Sequence, residues 1–99
     1  MSENTVILLM KITDQGMRDI KAAPERVKQG IAAMEAMGGK VTSFHATLGE
    51  YDYVAIGEGL SDEATLTFLL ALGSHGGVRT TALKAFSVEG FTAAVSRIP

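Results

Sequence analysis

Apolar residues recur along this chain at two spacings, and each change of spacing marks an element boundary. Thr5 to Ile12 is apolar at almost every position and rich in β-branched and aliphatic residues. That pattern predicts a strand buried on both faces. Thr13-Asp14-Gln15-Gly16 reads as a turn, with Asp14 able to cap and Gly16 able to take positive φ. After a short segment from Met17 to Ala23, Pro24 suits the first turn of a helix. Val27, Ile31 and Met34 give that helix one apolar stripe, and Gly38-Gly39 stops it. Strands are predicted over Lys40 to Leu48 and Tyr51 to Glu58, joined tightly through Gly49-Glu50. Ser61 is a natural N-cap, with Asp62 and Glu63 at the positive end of the helix dipole. The stripe of this second helix is Leu66, Leu69, Leu70 and Gly73, and Gly76-Gly77 ends it. Val78 to Phe86 is the fourth strand, and Ser87 caps a last short helix with Phe91, Val95 and Ile98 on one face.

The order β-α-β-β-α-β plus a C-terminal helix predicts an α+β, ferredoxin-like domain. Right-handed crossovers place both long helices on one face of a four-stranded antiparallel sheet. The 99 residues make one domain, from 1 to 99, with no linker, repeat or low-complexity segment. The first strand then poses a problem. Val6, Leu8, Met10 and Ile12 lie on one side, and Ile7, Leu9 and Lys11 on the other. A sheet face meeting water should be polar, and leaving Ile7 and Leu9 wet forfeits about 1.5–3 kcal/mol each. A second copy packed sheet to sheet, closing a dimeric barrel, removes that cost. The alternative cover is the C-terminal helix, which offers only one short stripe. A composition of 46% hydrophobic and 20% charged residues agrees with a buried surface between copies.

Charge and residue usage narrow the function classes. The net charge is −2, and the nine Lys and Arg are scattered without a run of three, so no nucleic-acid surface is expected. The absence of cysteine excludes disulfides and thiolate chemistry and fits a reducing, cytoplasmic setting. The opening Met1-Ser2-Glu3-Asn4-Thr5 lacks the basic segment of a signal peptide. The longest apolar run, Val6 to Met10, falls far short of the roughly 20 residues of a membrane span.

Alternation along the strands suggests where chemistry would sit. His45 shares a face with Ser43 and Thr47, leaving Phe44, Ala46 and Leu48 for the core, while Tyr51 and Tyr53 share a face opposite Val54 and Ile56. Lys11, His45, Tyr51 and Tyr53 are therefore expected to point away from the helices, into the space between copies. Titratable groups converging on an apolar face suggest a pocket. His45 suits a general base, or a hydrogen bond across the dimer. Tyr53 suits orienting a carbonyl or phenol, or plain interface packing. Asp52 is either a pocket carboxylate or a partner of turn amides, and Asp14 is read as a turn cap before a ligand contact. In His75-Gly76-Gly77-Val78-Arg79, exposed amides and Arg79 can grip an anion; the plainer reading is a helix C-cap with His75 at the negative dipole end. His45 and His75 are the only histidines and no metal-ligand spacing exists. Haem ligation by either has no distinguishing signal. Gly57-Glu58-Gly59 lacks the third glycine of a dinucleotide loop, and no cofactor is expected.

Gly49-Glu50-Tyr51-Asp52 fits the G-x-Y-D signature of the GYD-domain family. Leu9 to Gly16 resembles that family's opening segment, and Pro24 to Val27 and Gly77 to Thr81 resemble later stretches. The resemblance spans nearly the whole chain. It implies the dimeric α+β barrel superfamily, whose members include cofactor-free monooxygenases, isomerases, haem-dependent enzymes and small-molecule-sensing modules. It supplies no catalytic residues, and a shared fold does not choose among those activities. Three readings stand. One is a homo-oligomer binding a small molecule between the sheet and its partner, with Lys11, Tyr51, Asp52 and Arg79 as contacts. Another is a cofactor-independent monooxygenase or isomerase using His45 and Tyr53. The last is a structural assembly module.

Overall fold

The computed structural model describes residues 4–99; Met1-Ser2-Glu3, which the signal-peptide argument used, lie outside them. Strand β1 (Thr5–Ile12) leads into a short helix α1 (Asp14–Arg18), a 3-10 turn (Ile20–Ala22) and helix α2 (Ala23–Ala36). Strands β2 (Lys40–Ala46) and β3 (Tyr53–Glu58) follow, then helix α3 (Asp62–Ser74), strand β4 (Val78–Ala85) and helix α4 (Val88–Ser96). The four strands form one antiparallel sheet in the order β2-β3-β1-β4. This is the ferredoxin-like α+β arrangement, with α2 and α3 on one face of the sheet. No helix of the described residues is long and apolar enough to cross a membrane.

Local chemistry explains the boundaries. Thr13, rather than Asp14, caps α1: its Oγ1 accepts the Gly16 amide at 3.0 Å and donates to the Gly76 carbonyl at 2.5 Å. Asp14 is instead the acidic first residue of that helix. The segment is thus a capped helix and not a turn. Gly16 has no positive φ; that conformation falls to Gly38, Gly49, Gly59 and Gly76. Gly16 is required because a Cβ there would collide with the Gly77 carbonyl oxygen and sit 2.8 Å from Ile12 Cγ2. Ser61 and Ser87 cap α3 and α4 through their hydroxyls, as their sequence positions predict.

The connection between β2 and β3 is longer than the sequence suggests. Both strands stop short, leaving Thr47 to Asp52 as a loop closed by the Thr47 amide on the Asp52 carbonyl at 2.9 Å. The stripe of α3 also differs. Phe68 is buried, and Ala64, Leu69 and Leu72 pack beside it, while Leu66 and Leu70 stay exposed.

The core is Leu8, Met10, Met34, Ala55, Leu60 and Phe68. Register fixes which residues of β3 face it. Ala55 lies across from Leu8 and Tyr53 across from Met10, so Tyr53, Ala55 and Gly57 face the helices. Gly57 leaves the space that Met34 fills, since a Cβ there would sit 2.8 Å from the Met34 sulfur. Val54 and Ile56 consequently face the other way, across from Leu9 and Ile7. With Leu83, paired to Ile7 and 45% exposed, they make an apolar patch on the open face. The open face is therefore more apolar than β1 alone suggests. Helix α4 does not serve as its cover within one chain: Val88, Phe91, Val95 and Ile98 remain in solvent, Phe91 at 67% exposure.

Gly16→Ala is expected to overpack the contact of α1 with the Gly77 backbone and Ile12 and cost about 1–3 kcal/mol. A thermal melt should show a fall of about 4–8 °C for each kcal/mol lost. An unchanged melting temperature would mean that the Gly77 backbone moves aside freely.

Candidate functional site

Two regions of the molecule gather polar residues. The first is the end of the sheet where β1 finishes and the loop Thr47–Asp52 folds over it. Gly49 turns that loop with a φ of 109°. Asp52 then anchors it twice to β1: its amide donates to the Met10 carbonyl, and its Oδ2 accepts the Ile12 amide, both at 2.8 Å. The Thr47 hydroxyl donates to the Tyr51 carbonyl at 2.5 Å. Lys11 reaches over this loop, its Nζ 3.6 Å from a Glu50 carboxylate oxygen and 5.5 Å from the centre of the Tyr51 ring. The ion pair is exposed and contributes little; the ring contact is of cation–π type. Lys11, Tyr51 and Asp52 thus meet, with one Asp52 carboxylate oxygen accepting the Ile12 amide. Leu48, at the loop tip, is fully exposed rather than part of the core.

His45 and Tyr53 do not meet. His45 lies across from Val54, on the open face of the edge strand β2, and is exposed. Tyr53 points to the helix face, where its ring centre is 5.1 Å from that of Phe44. The expectation that both point away from the helices fails because a side chain's face follows strand register. Counting on from Tyr51 starts inside the loop, before β3 begins at Tyr53, and the pleat does not carry through it. Arg79 and His75 separate in the same way. Arg79 pairs with Lys11 and is exposed on the open face. His75 is the C-cap of α3, and with Gly77 it borders the helix side. The stretch from His75 to Arg79 therefore forms no single anion cradle. Among the described residues, no group of three or more His, Asp or Glu stands close enough to hold a metal ion.

The second region is a cavity of about 310 Å³ between α2, α3 and the helix face of the sheet. Met10 and Tyr53 form its floor, Val27 and Ile31 one wall, Phe68 and Leu72 the other. Met34 and Leu60 fill the core toward the Gly57 end, so the cavity extends toward Ile12 and Val78. Small residues on the facing helices, Gly30 and Ala71, leave it room. Arg26 stands at its border, donating through Nη1 to the Asp19 carbonyl at 2.9 Å and through Nη2 to the Gly16 carbonyl at 3.2 Å. The sequence reading missed Arg26 and the cavity. The available signal was Gly30 inside an otherwise regular apolar stripe, since mid-helix glycine costs about 1 kcal/mol relative to alanine.

Comparison with known proteins bears on this geometry. The family model of the GYD domain matches residues 6–95. A protein of Thermus thermophilus, "Glutamine synthetase and cystathionine beta-lyase binding protein", is 33% identical over 90 residues. That alignment covers 90% of this chain and 95% of the relative.

Replacing Asp52 tests its anchoring role. Asp52→Ala leaves the half-buried Ile12 amide without its acceptor and should cost about 1–2 kcal/mol. Hydrogen exchange at Ile12 is then expected to speed up by roughly 5–30-fold, with far strand amides such as Lys40 less affected. Equal acceleration throughout the sheet would instead mark a global loss of stability.

Proposed function

The chain belongs to the GYD-domain family, and from that premise we propose that it is a self-associating module that binds other proteins. The observation that carries the reading is the open sheet face, where Ile7, Leu9, Val54, Ile56 and Leu83 form one apolar patch. Four strands about 4.8 Å apart and six to eight residues long span roughly 450 Å² in projection. A standard interface takes about 800 Å² from each partner, so this face supplies about half or more of one. A second copy supplies an identical patch, which is what an isologous twofold contact requires.

Binding of other proteins rests on the relative whose printed name describes that activity, aligned over nearly all of both chains. A cytoplasmic setting belongs to the same reading, since a chain without cysteine suits a reducing compartment. The alternative of a cofactor-independent enzyme using His45 and Tyr53 loses support, because the two residues occupy opposite faces of the sheet. A small-molecule contact set of Lys11, Tyr51, Asp52 and Arg79 is weakened likewise, since Asp52 already anchors the loop through the Ile12 amide.

Sedimentation velocity on the wild type is expected to give a dimer or larger assembly. Ile7→Glu and Leu9→Glu should each give monomers or insoluble protein, and a stable dimer of native size from either variant would refute the sheet-to-sheet contact. For the protein-binding part, biolayer interferometry against purified glutamine synthetase and cystathionine β-lyase from the same source should give saturable binding to at least one. Flat responses to both would remove these enzymes as partners.

A further inference from the structure

The cavity between α2, α3 and the sheet lies on the face opposite the patch assigned to self-association. Its 310 Å³ falls in the range of small-molecule sites, about 300–1,000 Å³. Its lining is mostly aliphatic and aromatic, with Met10, Ile31, Phe44, Phe68 and Leu72 prominent, and no carboxylate lines it. The permanent charge at its border is Arg26. That guanidinium is fixed by the backbone carbonyls of Gly16 and Asp19, and its Nε side faces Gly77, where an added Cβ would be 3.3 Å away. The Asp19 carboxylate is 3.6 Å from Nη1 and 76% exposed, so water weakens its neutralising effect. His75 adds a second hydrogen-bonding group at the border.

We infer that this cavity binds a small amphiphilic carboxylate, its apolar body between the helices and its carboxylate against Arg26 and His75. An apolar interior calls for an apolar body. A fixed guanidinium favours an anionic head through a charge-assisted hydrogen bond. A cation is disfavoured by Arg26, and a strongly polar ligand would leave its groups unpaired against Phe44, Phe68 and Leu72. The proposal is independent of self-association, which uses the other face.

The test uses octanoate, with 1-octanol as its neutral counterpart, titrated into the whole protein by calorimetry and by methyl NMR. Octanoate should bind once per chain, shift the Ile31 and Leu72 methyls, and bind about tenfold or more tighter than octanol. Gly30→Leu is the blocking variant. Gly30 lies within α2 without positive φ, and its Cβ would meet only Leu72 Cδ2, at 3.6 Å. The leucine therefore grows into the cavity while removing a mid-helix glycine. This variant should lose at least about tenfold in octanoate affinity with a melting temperature no lower than the wild type. Undiminished octanoate binding in Gly30→Leu would overturn the site, as would shifts confined to Ile7 and Leu9 or no binding at millimolar octanoate. Equal affinity for octanol would overturn the assignment of a carboxylate. Should Gly30→Leu fail to fold, nuclear Overhauser contacts between the octanoate methyl and Ile31 or Leu72 in the wild type decide the matter, and their absence overturns the proposal.

Discussion

Strand β1 runs through the middle of the sheet, bonded to β3 along one edge and β4 along the other, and it is apolar on both faces. Its even-numbered side chains, Leu8 and Met10, are buried beneath the helices. Its odd-numbered side chains, Ile7 and Leu9, have no helix above them. Neither set can be relieved by shifting register, because a slip of one residue only exchanges them. Every larger feature of the molecule follows from this: helices that cover one face, neighbouring strands that must match, and a second face that stays apolar.

The neighbouring strand β3 responds by sorting side chains by size. Toward the helices it offers Ala55 and Gly57, and Met34 enters the space they leave. Away from the helices it offers Val54 and Ile56, which extend the Ile7–Leu9 patch. Bulk is thus removed where α2 crosses closely and added where no element of the chain packs. The same economy fails further along α2. Gly30 and Ala71 are small, and beside Leu72, which reaches Gly30, the helices leave a cavity. Volume near Gly57 is filled from α2; volume near Tyr53 is left to whatever can occupy an apolar space bordered by a guanidinium.

Much of the fold was legible because its signals are local. Ser61 and Ser87 cap their helices, Pro24 starts α2, and the breaks at Gly38 and Gly76 fall where positive φ is needed. The element order then leaves few topologies. What escaped the sequence is the side on which each residue of β3 lies. Period-2 reasoning separates apolar from polar faces, and here both faces are apolar, so hydropathy cannot orient Tyr53. Register decides, and register is set by hydrogen bonds to β1. The exposed Leu66 and Leu70 misled for a related reason: α3 is apolar nearly all round, and only packing selects Phe68 and Leu72 as its inner side. Arg26 was hidden because its partners are backbone carbonyls, which carry no residue type.

The quartet that identifies the family is explained by geometry rather than reactivity. Gly49 supplies the positive φ that turns the loop, and Asp52 replaces a missing strand partner for the Ile12 amide. Glu50 and Tyr51 lie beside the Lys11 side chain, in an exposed ion pair and a ring contact that add little. Asp52, placed by the Gly49 turn, acts on the end of β1, the strand on which both faces depend. A loop tied to Met10 and Ile12 is poorly placed to move as a lid. The presence of the signature therefore argues for a sheet whose central strand ends in a fixed position. It does not argue for a reaction at that spot, so function has to be sought on the two broad faces that this fixed end holds in register.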